Sequence, residues 1–202
     1  PVAFYVYLLA ARGNLPGVAA VQCGISYDGH DPNGISDGKG IELTWTLCAT
    51  SETPSSDPAW PRPGSGNVIA WDELSACQMG EVAVAGYFYC SAVTPDTLFV
   101  TRSPVDLQAS VTDCNGTAMN LQGDDLGSVG FSQVGPGPGQ PQGCNPCDGP
   151  CPEFAPPPHE PLPPRILIHL TSTTSQNACA EGQLEVCEAA TVKGGLSQPN
   201  AG

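Results

Sequence analysis

Twelve of the chain's twenty-two prolines fall between Pro136 and Pro164, and this stretch is followed at once by Ile166-Leu167-Ile168-His169-Leu170, a strand-like run with no partner near it in sequence. A lone strand is not stable in water, so it must join a sheet built elsewhere. Proline-rich chain favours the extended polyproline II form, at about 3.1 Å per residue. Residues 152–164 alone can therefore hold the strand roughly 40 Å from what precedes them. The sequence predicts a folded body, a stiff connector and a strand delivered over a distance, either back to its own body or to a neighbour's.

The body reads as all-β. Short apolar runs rich in Val, Ile, Tyr and Phe occupy residues 2–10, 17–27, 41–50, 67–71, 81–92, 97–102, 107–112 and 127–133, separated by turn signals such as DGHDPNG, TPSSDP, PRPGSG, TPD and QGDD. Seven or eight short strands punctuated in this way predict a β-sandwich of immunoglobulin-like or jelly-roll type. The 24 glycines and 22 prolines argue further against helices. The expected organisation is a sandwich over residues 1–134, a Cys/Pro/Gly-rich linker over 135–164, and a C-terminal extension over 165–202 that bears the strand and packs on a neighbouring unit. The first run, VAFYVYLLA, is apolar on both faces, as a doubly covered strand would be.

Six basic residues against 20 acidic ones give a formal charge of -14, with no Lys/Arg cluster to meet phosphates. Nucleic acid is therefore not an expected partner. No apolar run approaches eighteen residues, so membrane insertion by a helix is not expected. The ten cysteines, Cys23, Cys48, Cys77, Cys90, Cys114, Cys144, Cys147, Cys151, Cys179 and Cys187, form an even set in a Gly/Pro-rich chain. All ten are disulfide candidates, which places the protein outside the cytoplasm, secreted or on a cell surface. Cys179 and Cys187 are close enough for a local bridge. The chain opens at Pro1 within a strand-like run, as expected of a processed product or part of a longer one.

The wording YVYLLAARGN, GVAAVQCGISYD, LTWTLCAT, GNVIAWDE, VAVAGYFY and GCNPC resembles a β-rich module of secreted proteins from environmental bacteria, over roughly residues 2–147. In those proteins a segment similar to ILIHLTSTTSQNACAEGQLEVCEAATVKG precedes the YVYLL strand, whereas here it comes last. The resemblance carries no known activity. Its shifted order implies a repeating array in which residues 165–202 belong structurally to the next sandwich.

Catalytic signatures are missing. His30 lies in a turn, His159 among prolines and His169 on the final strand, while Asp72-Glu73 and Asp124-Asp125 are neighbours whose side chains point apart. No enzyme is expected. Cys144, Cys147 and Cys151 have the density of a zinc site, but without an obvious fourth ligand they read better as disulfides. Asp28, Asp31, Asn33 and Asp37 put four oxygen-bearing side chains within ten residues, a weak calcium candidate that departs from the EF-hand pattern at Gly29 and Gly40. Asn115-Gly116-Thr117 is an N-glycosylation sequon. No cofactor is required by any motif; calcium and glycans are the two candidate additions.

The expected function is structural. The protein reads as a subunit of an extracellular bacterial filament or surface array, its partner another copy of itself. Ile166, Leu167, Ile168 and Leu170 form the assembly strand, and Val2, Phe4, Val6 and Leu8 belong to the receiving strand. Burying Ile166, Ile168 and Leu170 contributes on the order of 5 kcal/mol before ordering costs. The alternative is a secreted carbohydrate-binding module using a displayed Trp60, with Trp45 and Trp71 in the core.

Overall fold

A computed structural model describes residues 2–28, 39–73, 75–131, 143 and 165–171. The chain is all-β, with two antiparallel sheets and no closed barrel among the described residues. One sheet has the order β11-β1-β6-β3, built from β1 (Val2–Ala11), β3 (Ile41–Leu47), β6 (Val82–Ala92) and β11 (Arg165–Thr171). The other runs β10-β7-β2-β5-β4, from β2 (Ala20–Ser26), β4 (Ser51–Pro54), β5 (Gly66–Ala70), β7 (Asp96–Thr101) and β10 (Ser128–Phe131). In that sheet β8 (Ser110–Thr112) pairs with β2 beside β7 and carries β9 (Ala118–Asn120) on its other edge.

Alternation along the strands makes the core. Phe4, Val6, Leu8 and Ala10 of β1 join Ile41, Phe88 and Cys90 on one side, facing Val21, Cys23, Ile25, Ile69, Leu98 and Val129 from the other sheet. Phe4 and Phe131 meet across the layers with ring centroids 6.0 Å apart. As its sequence predicts, β1 is covered on both faces: Tyr7, Leu9 and Ala11 form a second buried cluster with Tyr5, Val82, Val84 and Tyr87 around it. Tyr5 packs against Tyr87 and Tyr89 at 5.6 and 5.3 Å, the aromatic pairing that supports adjacent strands.

Two strands lie where the sequence gives no strand signal. β4, Ser-Glu-Thr-Pro, is a polar edge strand ending in a proline, and its only described strand partner is β5. β9 is three residues long and is held by the hairpin from β8. Leu107, expected to begin a strand, sits in a turn with φ of 59° and is exposed.

The cysteines divide. Cys77 and Cys114 are bridged, with Cα atoms 5.9 Å apart, and Cys48 is disulfide-bonded as well. Cys23 and Cys90, expected to be bridged, are free thiols. The reason is their position. Each occupies an inward site with no measurable exposure and packs as a small apolar side chain. The other five cysteines lie outside the described residues.

Candidate functional site

The edge of β1 is where the fold depends on distant chain. β6 lies along one side of β1, and β11 lies antiparallel along the other from Tyr5 opposite Thr171 to Ala11 opposite Arg165. Within that register Leu170 stands opposite Val6, His169 opposite Tyr7, Ile168 opposite Leu8, Leu167 opposite Leu9 and Ile166 opposite Ala10. The pairing is made within one chain. Of the residues expected to receive the strand, Val6 and Leu8 lie in the paired stretch, whereas Val2 and Phe4 precede it and, among the described residues, pair with β6 alone. Without β11, the exposed edge would belong to a strand whose residues from Val6 to Ala11 are all buried. An open, apolar edge of this kind is an aggregation template, so some strand must cover it.

The aromatic side chains are arranged for packing. Trp60, expected on the surface, lies 5.4 Å from Trp45 in an edge-to-face contact and 5.7 Å from Phe88, partly buried against the core. Its flanking prolines suggest exposure, but strands remote in sequence supply its cover. Its ring is therefore partly covered rather than fully displayed. Trp71 is in the core and Trp45 is packed against it, as their apolar runs suggest.

The carboxylate pairs singled out in the sequence hold turns. Asp72 Oδ1 accepts the Ser75 N–H and hydroxyl, each at 2.9 Å, and Asp125 Oδ2 accepts the Gln122 N–H at 2.9 Å. Among the described residues no three His, Cys, Asp or Glu side chains cluster as metal ligands. His30, His159, Cys144, Cys147 and Cys151 lie outside the described residues, as do the calcium candidates Asp31, Asn33 and Asp37.

Asn115 is exposed on the β8–β9 hairpin. Asp113 builds that turn, its Oδ1 accepting the N–H groups of Asn115 and Thr117, both at 2.8 Å, while Gly116 adopts φ of +80°. The sequon is thus displayed on a short, well-braced loop.

Sequence reasoning missed Asp96, the first residue of β7. It is 6% exposed, and burial together with the nearby Asp28 carboxylate pushes its carboxyl above the ordinary range. Asp96 and Asp28 share the wall of an open cavity of about 270 Å³ with Ser26, Tyr27, Thr97 and Phe99. A single acid in a Thr-Pro-Asp turn carries no local sign of this; only the meeting of β2, β3 and β7 creates it.

Comparison with known proteins adds no relative. No protein-family model matches the chain, and neither a curated protein nor a solved structure matches it.

Proposed function

We infer that the protein is a structural subunit of an extracellular bacterial filament or surface array, in which β11 of one copy fills the β1 edge of the next. The observation that carries this reading is the way the edge is closed. β1 is buried on both faces, and its open side is covered by a strand that arrives only after residues 132–164. Closing the edge within one chain does not call for so long a connection, because β10, which ends at Phe131, already touches β11. A proline-rich segment of that length spans up to about 100 Å when extended, enough to offer the same strand in the same register to a neighbour. Exchange of an identical element between copies uses the native contacts twice and needs no new surface.

The Cys77–Cys114 bridge fits an oxidising compartment, and the likeness to secreted modules with the tail segment at their front fits donation to the next unit. Electron microscopy of native, unreduced protein tests the reading. Filaments with one regular repeat, shortened when excess peptide of sequence RILIHLT is present during refolding, are the expected result. Dispersed particles of 20.7 kDa at every concentration would show that the strand serves its own body.

A further inference from the structure

We propose that Asp28 and Asp96 form a calcium-binding site at the end of the sandwich where β2 leaves the sheet and β7 enters it. Asp96 Oδ1 is satisfied, accepting the N–H of Thr97 at 2.7 Å and of Asp28 at 3.2 Å. Its second oxygen is not. Among the described residues Oδ2 is buried without a hydrogen-bond partner, and the Ile41 N–H, although near enough to favour the ionised form, does not reach hydrogen-bond geometry. A buried carboxylate oxygen without a donor requires a proton, a water or a cation beside it.

The surroundings favour the cation. Asp28 and Asp96 both line the same open cavity of about 270 Å³, so two acidic residues stand side by side at this end of the sandwich. Gly40 packs against both acids: at φ of +60° it lies so close that a methyl group would stand 2.7 Å from both the Asp28 carbonyl oxygen and Asp96 Oδ2. Gly40 is itself fixed, its N–H donating to Thr94 Oγ1 at 2.6 Å and its carbonyl accepting from Val93 at 2.9 Å. The site is therefore framed by backbone from both sheets. A chain of formal charge -14 also raises the local concentration of cations.

Ligand chemistry selects the ion. Carboxylate, hydroxyl and carbonyl oxygens with room for water suit a hard cation, and an irregular open cavity suits calcium better than magnesium, which demands a compact octahedron. The site needs none of Asp31, Asn33 and Asp37, which lie outside the described residues. A bound ion would tie β2 and β7 of one sheet to the start of β3 in the other.

The test is thermal unfolding of chelator-stripped protein at neutral pH while calcium chloride is titrated, with calorimetry for affinity. The expected result is half-saturation at about 0.1–1 mM, the range of extracellular calcium modules. The midpoint should rise by about 3–5 °C at tenfold higher calcium, and by less with magnesium. Asp28→Asn, at an exposed position, should weaken calcium binding about tenfold or more without loss of fold, and Asp96→Asn should abolish the thermal response. A wild-type midpoint that stays flat up to about 10 mM calcium, well above that range, overturns the proposal. So does unchanged affinity in Asp28→Asn, which remains decisive if Asp96→Asn does not fold.

Discussion

The Trp45 indole N–H donates to Glu52 Oε2 at 2.8 Å, joining β3 of one sheet to β4 of the other. The same oxygen accepts from Asn67 Nδ2 on β5 at 2.7 Å, so one carboxylate braces the sandwich across its layers. Removing it strands two donors. Glu52→Ala is expected to lower stability by about 2–4 kcal/mol, since hydrogen bonds to a charged acceptor are worth more than neutral ones. Glu52→Gln keeps an acceptor and should lose about 1 kcal/mol. Urea unfolding followed by tryptophan fluorescence reports both; equal losses in the two variants would show that packing, not the acceptor, matters.

Gly86 sets the position of the same tryptophan. β6 is irregular there, with Leu8 opposite Gly86 and Leu9 opposite Val84, and a methyl group at Gly86 would run into the Trp45 ring and the Thr46 carbonyl. Trp45 packs on Phe88 with centroids 4.8 Å apart and cannot yield without disturbing Trp60. Gly86→Ala should therefore cost about 1–3 kcal/mol and weaken the near-ultraviolet circular dichroism. Gly80→Ala is the control: its nearest neighbour would be the Val82 carbonyl oxygen at 3.5 Å, and its effect should stay within about 0.5 kcal/mol.

What the sequence reveals follows from how local each cause is. β1 and β6 are legible because their own side chains decide their burial: an apolar run long enough for a strand, bounded by turns, leaves few alternatives. β4 is not, because Ser51 to Pro54 become a strand only through pairing with β5. Trp60 and Asp96 are misjudged or missed for the same reason. The cover over Trp60 comes from Trp45 and Phe88, and the Asp96 carboxylate is set by an N–H from Asp28, 68 residues away. For the thiols the signal was present but outvoted. An even cysteine count argues for pairing, yet Cys23 falls between Val21 and Ile25 on the inward face of β2, where a small apolar side chain is what the position requires.

The sequon hairpin separates structure from modification. Asp113 is 6% exposed and holds two backbone N–H groups, so Asp113→Ala should destabilise by about 1–3 kcal/mol. Asn115→Gln, at an exposed position, should change stability by less than about 0.5 kcal/mol. Expressed through a eukaryotic secretory route, the wild type should gain sugar mass at Asn115 and lose it on enzymatic deglycosylation, with the unfolding midpoint little changed. An unmodified intact mass from that host would show that the hairpin is too tight to be used.

The two free thiols make alkaline stability a measurable property. Burial pushes both Cys23 and Cys90 from the ordinary 9.0 up to about 12, with the Asp96 charge adding to the shift at Cys90. In this pH window the folded chain keeps protons that the unfolded chain releases. Each rise in pH through this window therefore weakens folding, because only the unfolded thiols ionise there. The contribution is intact below pH 9.0 and falls as pH rises towards about 12, by about 1.4 kcal/mol per pH unit for each thiol. Urea midpoints measured from about pH 8 to about pH 11 should decline accordingly. Cys23→Ala, although less stable at neutral pH from the lost volume, should show a shallower decline. Both thiols should be inert to an aromatic disulfide reagent in the native protein and react once guanidinium unfolds it. Rapid native labelling of Cys23 or Cys90, located by peptide mapping, would mean that the core opens far more readily than its packing implies.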